Sequence, residues 1–212
     1  MRVGLIVDSA CDLPYEFSRK HDLFVLPVTA IIDGQTYIDT HDPVRTQEFY
    51  QSGLLDKGHQ AETEAFSAEQ IHNLFMEKIV TQFDVAICET VTRSRSQIFD
   101  HASEAMNTVM ANYEGARKAA GREGKFSMRV IDSKQIFAGQ GLLAAHTLRL
   151  INQKVSKNAL RHEVETFTDK IYTCVIPRDL HYIRERARRR GDKSVSAMAA
   201  FMGKVLNINP VI

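Results

Sequence analysis

The chain says one thing twice. Val3, Gly4, Leu5, Ile6 and Val7 run into Asp8 and Ser9, and far downstream Val130 and Ile131 run into Asp132 and Ser133. A short, β-branched apolar run bounded by polar residues suits a strand buried on both faces, as in a parallel sheet. Asp and Ser bond readily to nearby backbone, so they suit a strand-to-helix turn. A helical pattern follows each pair: one opens at Pro14, the other after Gly139 and Gly141. Open α/β sheets bind ligands outside the carboxyl ends of their strands. The two Asp-Ser corners therefore mark the expected functional edge. Asp8 and Asp132 need no role there beyond capping, whereas Ser9 and Ser133 are open as caps or as ligand-facing hydroxyls.

The totals narrow the class. A chain of 212 residues allows one large domain or two modest ones, and a net charge of +1 gives no general attraction to nucleic acid or anionic membranes. The three cysteines, Cys11, Cys88 and Cys174, lack paired spacing. This argues for reduced thiols in a cytoplasmic protein and against a disulfide scaffold or zinc site. Cys88 and Cys174 lie in apolar runs and are expected in the core. The eight histidines are scattered without i, i+3 or i+4 pairs in a helix, so no metal is expected. No apolar run approaches membrane-spanning length.

Along the chain, residues 24–29 predict a second strand. Asp33 and Gly34, between Ile32 and Thr36, predict a hairpin pairing 30–32 with 35–38. Residues 46–52 suit a short helix, and 54–62 are polar and irregular. Ser67 with Gln70 has capping-box spacing for a helix over 68–80, whose Ile71, Leu74, Phe75 and Ile79 form one buried face. A buried strand over 83–89 leads into a loop, 90–96, that holds Thr90, Thr92, Ser94 and Ser96 with Arg93 and Arg95. Such hydroxyls, with free N–H groups at the following helix start, make an anion pocket. A helix over 97–114, a polar surface connection over 115–125, the second Asp-Ser strand and two further helices complete an α/β domain over 1–168. Residues 170–176 predict a strand of a second, α+β domain, incomplete over 169–212. Its basic run, 184–193, is a solvated helix end or a partner- or phosphate-facing patch.

No Walker motif, dinucleotide fingerprint or nucleophile elbow is present. The pattern argues for binding more than for catalysis. Two other readings stay open: an enzyme acting on a small anion at the Asp-Ser strand ends, and a nucleic-acid module using 184–193.

Several stretches together resemble the DegV family of fatty-acid-binding proteins. Asp8, Ser9, Asp12, Leu13 and Pro14 match its opening Asp-Ser-x-x-Asp-Leu-Pro, and Leu26-Pro27-Val28 with Asp33-Gly34 and Tyr37 matches its next signature. Val130 to Ser133 with Gly139 and Gly141 matches a third. Asp179, Leu180, Tyr182 and Ile183, with Asn207 to Pro210, match the second-domain signature.

The resemblance implies two α/β-type domains holding one long-chain fatty acid between them, with no cofactor and no intrinsic catalysis. It also implies a fatty acid kinase catalytic subunit as the partner to which the acyl carboxylate is presented. Burial of about fifteen methylenes at ~0.8 kcal/mol each gives roughly 12 kcal/mol gross, enough for tight retention. The carboxylate then needs donors. On the family's pattern these fall at Thr63 and at Thr92, Arg93 and Ser94, with Ser67 a secondary candidate beside Ser9 and Ser133 of the two corners. Here Glu64, Phe66 and Arg93 replace the family's Ser, Pro and Gly. Arg188 takes a family arginine position, and Arg184 and Arg188 are expected to face the partner. The family's pattern continues past Pro210, so the chain as it stands is expected to self-associate.

Overall fold

The computed structural model describes residues 1–56 and 58–176. Its centre is a parallel sheet in the order β2-β1-β6-β7, formed by Phe24–Leu26, Val3–Asp8, Val85–Thr90 and Ser127–Asp132. β6 is buried along its whole length. This is what a continuous apolar strand requires when helices cover both faces. On one face Ile6, Ala86 and Cys88 meet α3 (Ala68–Leu74) and α4 (Ile98–Ala119). On the other, Leu5, Val7, Ile87 and Ile131 meet Leu143, Leu148 and Leu160 of α5 (Phe137–Asn152) and α6 (Lys157–Thr168). The short α1 spans Tyr15–Lys20. Met1–Tyr172 make one compact unit.

A second sheet stands beside it. β3 (Val28–Ile32) pairs antiparallel with β4 (Gln35–Asp39) and with β5 (Ala61–Ala65). Asp33 and Gly34 make the expected two-residue turn with φ of +49° and +81°. Two positive φ values are what a type I′ hairpin needs, and they favour Asp-Gly. α2 (Pro43–Gln51) then packs near β4, with Asp42 as its N-cap.

The structure corrects several expectations. Residues 24–29 are not one strand. Pro27, which has no N–H for a ladder, separates β2 from β3, and the chain changes sheets there. The stretch 54–62 was expected to be irregular, yet its end belongs to β5, an exposed polar strand without apolar alternation to betray it. The helix over 46–52 starts earlier, at Pro43. The helix from Ser67 forms with its capping box, but its last turn, Phe75–Ile79, is π-helical.

Residues 115–125 are not merely a surface connection. α4 runs to Ala119, and Arg117 is only 2% exposed. Its guanidinium donates to the carbonyls of Val80 (3.0 Å), Phe83 (2.6 Å) and Glu123 (3.1 Å) and to Asp84. Enough acceptors surround the charge to offset its burial. Residues 170–176 form no strand. Ile171 goes into the core instead, and the Gln135 amide donates to its carbonyl at 3.0 Å. Cys174 is accordingly exposed, while Cys88 is buried as expected. The basic run 184–193, with Arg184 and Arg188, lies outside the described residues, as does the rest of the expected second domain.

Candidate functional site

In the order β2-β1-β6-β7, the chain leaves β1 to one side and arrives at β6 on the other. The crevice between β1 and β6 is the switch point where such sheets take ligands. Three loops meet at this edge: 9–14 after β1, 91–97 after β6 and 133–136 after β7.

Both Asp-Ser corners do more than cap. Each aspartate accepts from the backbone N–H two residues on: Asp8 Oδ1 from Ala10 (3.0 Å) and Asp132 Oδ1 from Lys134 (2.9 Å). Each also reaches across to the middle loop. Asp8 Oδ2 accepts from Val91 N–H at 2.5 Å, and Asp132 Oδ1 accepts from Arg93 N–H at 3.2 Å. Between them, Thr92 N–H donates to the Gln135 carbonyl at 2.9 Å. The N–H groups of residues 91, 92 and 93 are thus all taken by the neighbouring corners. The anion pocket expected here relied on the N–H groups at the start of the following helix, α4, and these three belong to the loop before it. The loop also carries hydroxyls. Thr92 Oγ1 and Ser94 Oγ lie 3.2 Å apart, Thr92 half-buried and Ser94 exposed. Ser96 Oγ caps Ile98 N–H at the start of α4.

Arg93 leans over Phe99, 5.5 Å from the ring centroid, and pairs with Asp100 at 2.9 Å. Its cation is thus directed to the first turn of α4 and is partly balanced there.

Ser9 and Ser133 both bond backbone N–H groups. Ser9 Oγ accepts from Val28 N–H at 3.0 Å, which ties β3 to the first corner. Ser133 Oγ accepts from Gln135 N–H at 3.1 Å and lies 3.3 Å from the Gln135 carbonyl. Thr63 and Ser67 stand elsewhere. Thr63 is on β5, opposite Ala30, and Ser67 Oγ accepts from Gln70 N–H as the cap of α3. The segment joining them approaches the middle loop's helix: His101 of α4 lies 2.8 Å from the Phe66 carbonyl. So Thr92, Arg93 and Ser94 share one loop with Ser133 behind it, while Thr63 and Ser67 belong to the second sheet and its helix.

Sequence reasoning passed over two contributors. His41, in the left-handed region at φ +58°, places Nε2 2.6 Å from the Ser9 carbonyl and so fastens the second sheet to the first corner. Gln140 of α5 donates to the Glu89 carbonyl at 3.2 Å and also bonds the Asp8 carboxylate. Neither carries a spacing signal. Gly141 does, as half of the Gly139/Gly141 pair. A Cβ there would stand 2.6 Å from the Asp12 carbonyl, so only glycine lets the first loop lie on α5.

Two buried carboxyls sit beneath this edge. Burial pushes Asp8 up to about 6, against the opposing effect of its amide partners. Burial pushes Glu89 up to about 8, with Thr147 bonding one oxygen. Burial therefore favours the neutral form of Glu89. No group of three or more His, Cys, Asp or Glu side chains among the described residues is arranged to hold a metal.

Comparisons with known proteins bear on the family and the fold. The family model described as "Uncharacterised protein, DegV family" matches residues 2–212. A DegV domain-containing protein of Xanthomonas axonopodis is 42% identical over 212 residues, covering 100% of this chain and 68% of the relative. A stearic-acid-binding protein from Eubacterium ventriosum is 25% identical with a TM-score of 0.73, over 93% of this chain and 63% of the other. A fatty-acid-binding DegV family protein from Thermus thermophilus is 20% identical with a TM-score of 0.71, over 100% of this chain and 67% of the other. The chain thus spans about two-thirds of the length of these relatives.

Proposed function

The chain belongs to the DegV family, and from that premise we propose that it binds a long-chain fatty acid and carries it without acting on it chemically. The observation that carries this reading is the shared fold with fatty-acid-binding proteins, one of which binds stearic acid at 25% identity. The hydroxyl pair of Thr92 and Ser94 is the donor set for the carboxylate, with Arg93 at its flank and Thr63 contributed from β5. Two hydroxyl donors suit an acyl carboxylate, which needs hydrogen bonds once its tail removes it from water. Ser67, Ser9 and Ser133 brace the surrounding backbone through their bonds to N–H groups and are not carboxylate donors in this reading.

The finer reading is that the bound carboxylate is presented to a fatty acid kinase catalytic subunit in the cytoplasm. Arg184 and Arg188, from a second domain beginning near residue 169, would face that partner or its phosphate. The commitment of both Asp8 oxygens to backbone amides favours a carrier over an enzyme built on that carboxylate. Among the described residues no helix is long and apolar enough to cross a membrane.

The test is native mass spectrometry of the protein purified from bacteria, with lipid extraction alongside. An adduct with the mass of a long-chain fatty acid, present at near one per chain, is the expected result. A protein that carries no acyl chain and takes up none from added stearate rejects the reading. Thr92→Val with Ser94→Ala should lose the adduct while keeping the fold.

A further inference from the structure

The middle loop carries the proposed donors, yet its own sequence gives it little to stand on. Of residues 91–96 only Val91 is fully buried. The loop closes one turn of its own, Arg95 N–H to the Thr92 carbonyl at 2.9 Å, and the N–H groups ahead of that turn are held by its neighbours. Three successive N–H groups are held by Asp8, by the Gln135 carbonyl and by Asp132. The acids come from different strands, β1 and β7, and approach β6 from its two sides. Each bonds first to its own turn, at Ala10 or Lys134, so its carboxylate is already oriented when it meets the loop.

We propose that Asp8 and Asp132 are positioning residues for the ligand's carboxylate: they pin the backbone on either side of Thr92, so that the Thr92 and Ser94 hydroxyls are in place before the ligand arrives. This rests on the fatty-acid reading and says how that site is built. A loop fixed in advance avoids the ordering cost that binding would otherwise carry. The arrangement also explains why acids are tolerated beside an anion site. Both carboxylates face backbone N–H groups and touch the ligand through nothing but the loop they hold.

Simple electrostatics predicts the opposite sign for a mutation. Asp8→Asn or Asp132→Asn removes a negative charge near a bound carboxylate, and on charge alone should tighten binding. As positioning residues they should loosen it, because an amide replaces a charge-assisted acceptor. The experiment measures release of stearate from the full chain to acceptor vesicles at pH 7, far from denaturing conditions. Both variants are expected to release it faster, on the order of tenfold for a lost charged hydrogen bond. In a Thr92→Val background the same substitutions should add little, since they act through Thr92. Amide hydrogen exchange at residues 91–93, read without ligand, should quicken in each variant.

Unchanged or slower release, or full additivity with Thr92→Val, overturns the proposal while leaving fatty-acid binding intact. A wild-type chain that holds no stearate overturns both. Should Asp8→Asn fail to fold, Asp132→Asn carries the test, because Asp132 is only half-buried.

Discussion

The two Asp-Ser corners make the same bonds in different surroundings. Each aspartate closes its own turn and then holds one amide of the middle loop. Asp8 is nevertheless completely buried, and Asp132 is not. The difference follows from sheet order. β1 lies between β2 and β6, with α5 and the second sheet closing over its end, whereas β7 is an edge strand among the described residues. A repeated sequence therefore encodes repeated hydrogen-bond geometry, while burial is decided by where the topology puts each copy. The first corner also has the buried Glu89 beside it, opposite Val7 in the β1–β6 register.

The largest effect that separates the corners is pH-dependent. Glu89 goes from an ordinary 4.5 to about 8 on folding, and Asp8 from 3.8 to about 6. Each raised carboxyl is protonated more readily in the folded chain than in the unfolded one. The stability it contributes is complete below the unfolded value and is lost as pH rises through the folded value. Stability should therefore fall between about pH 4 and 8, with Asp8 contributing in the lower half and Glu89 across the whole span. For Glu89 alone the loss is on the order of 4–5 kcal/mol. Urea unfolding across this range should show a steep decline that Glu89→Gln flattens, most visibly at the alkaline end. A flat wild-type profile would remove the distinction between a buried corner and a wet one.

Next comes removal of each side chain. Asp8→Ala strands the buried N–H of Val91 and the half-buried N–H of Ala10 and should cost roughly 2–4 kcal/mol. Asp132→Ala leaves groups that water can reach and should cost less than about 1 kcal/mol. Equal losses by urea denaturation would mean that burial is not what distinguishes the corners. Gly141→Ala belongs with the first corner alone. Its Cβ would press on the Asp12 carbonyl, at a cost of about 1–3 kcal/mol for forced repacking in a thermal melt.

How much of this was legible in sequence depended on what each residue signals. The parallel core could be read because the strands at 3–8 and 127–132 are apolar runs with polar ends, and β6 likewise. The hairpin at Asp33-Gly34 and the Ser67 capping box were legible because backbone chemistry at those positions admits few residues. β5 was not, since Ala61, Glu62, Thr63, Glu64 and Ala65 offer no alternation and the strand is defined by its partner β3. Arg117 was hidden for the opposite reason: a charged residue in a polar stretch reads as surface, and only the fold brings four carbonyls and Asp84 around it. At the site, the hydroxyl loop was visible as composition. The use of Asp8 and Asp132 across strands was not, because each contact joins residues 39 or more positions apart.

The smallest effects concern the serines of the same two corners. Ser9 and Ser133 read alike in sequence, as caps or as ligand-facing hydroxyls. Each hydroxyl accepts from a backbone N–H, Val28 for Ser9 and Gln135 for Ser133. The Ser9 bond joins the two sheets, whereas the Ser133 bond closes a local turn. Ser9→Ala should therefore cost about 1 kcal/mol and Ser133→Ala somewhat less, by urea denaturation. Neither should alter stearate release by more than about twofold, since the donors proposed for the carboxylate lie on the middle loop and on β5; a factor of two is below 0.5 kcal/mol. A Ser133→Ala chain that keeps its stability but sheds stearate rapidly would move the carboxylate from the Thr92–Ser94 pair to the second corner, and the two corners would then differ in function as well as in burial.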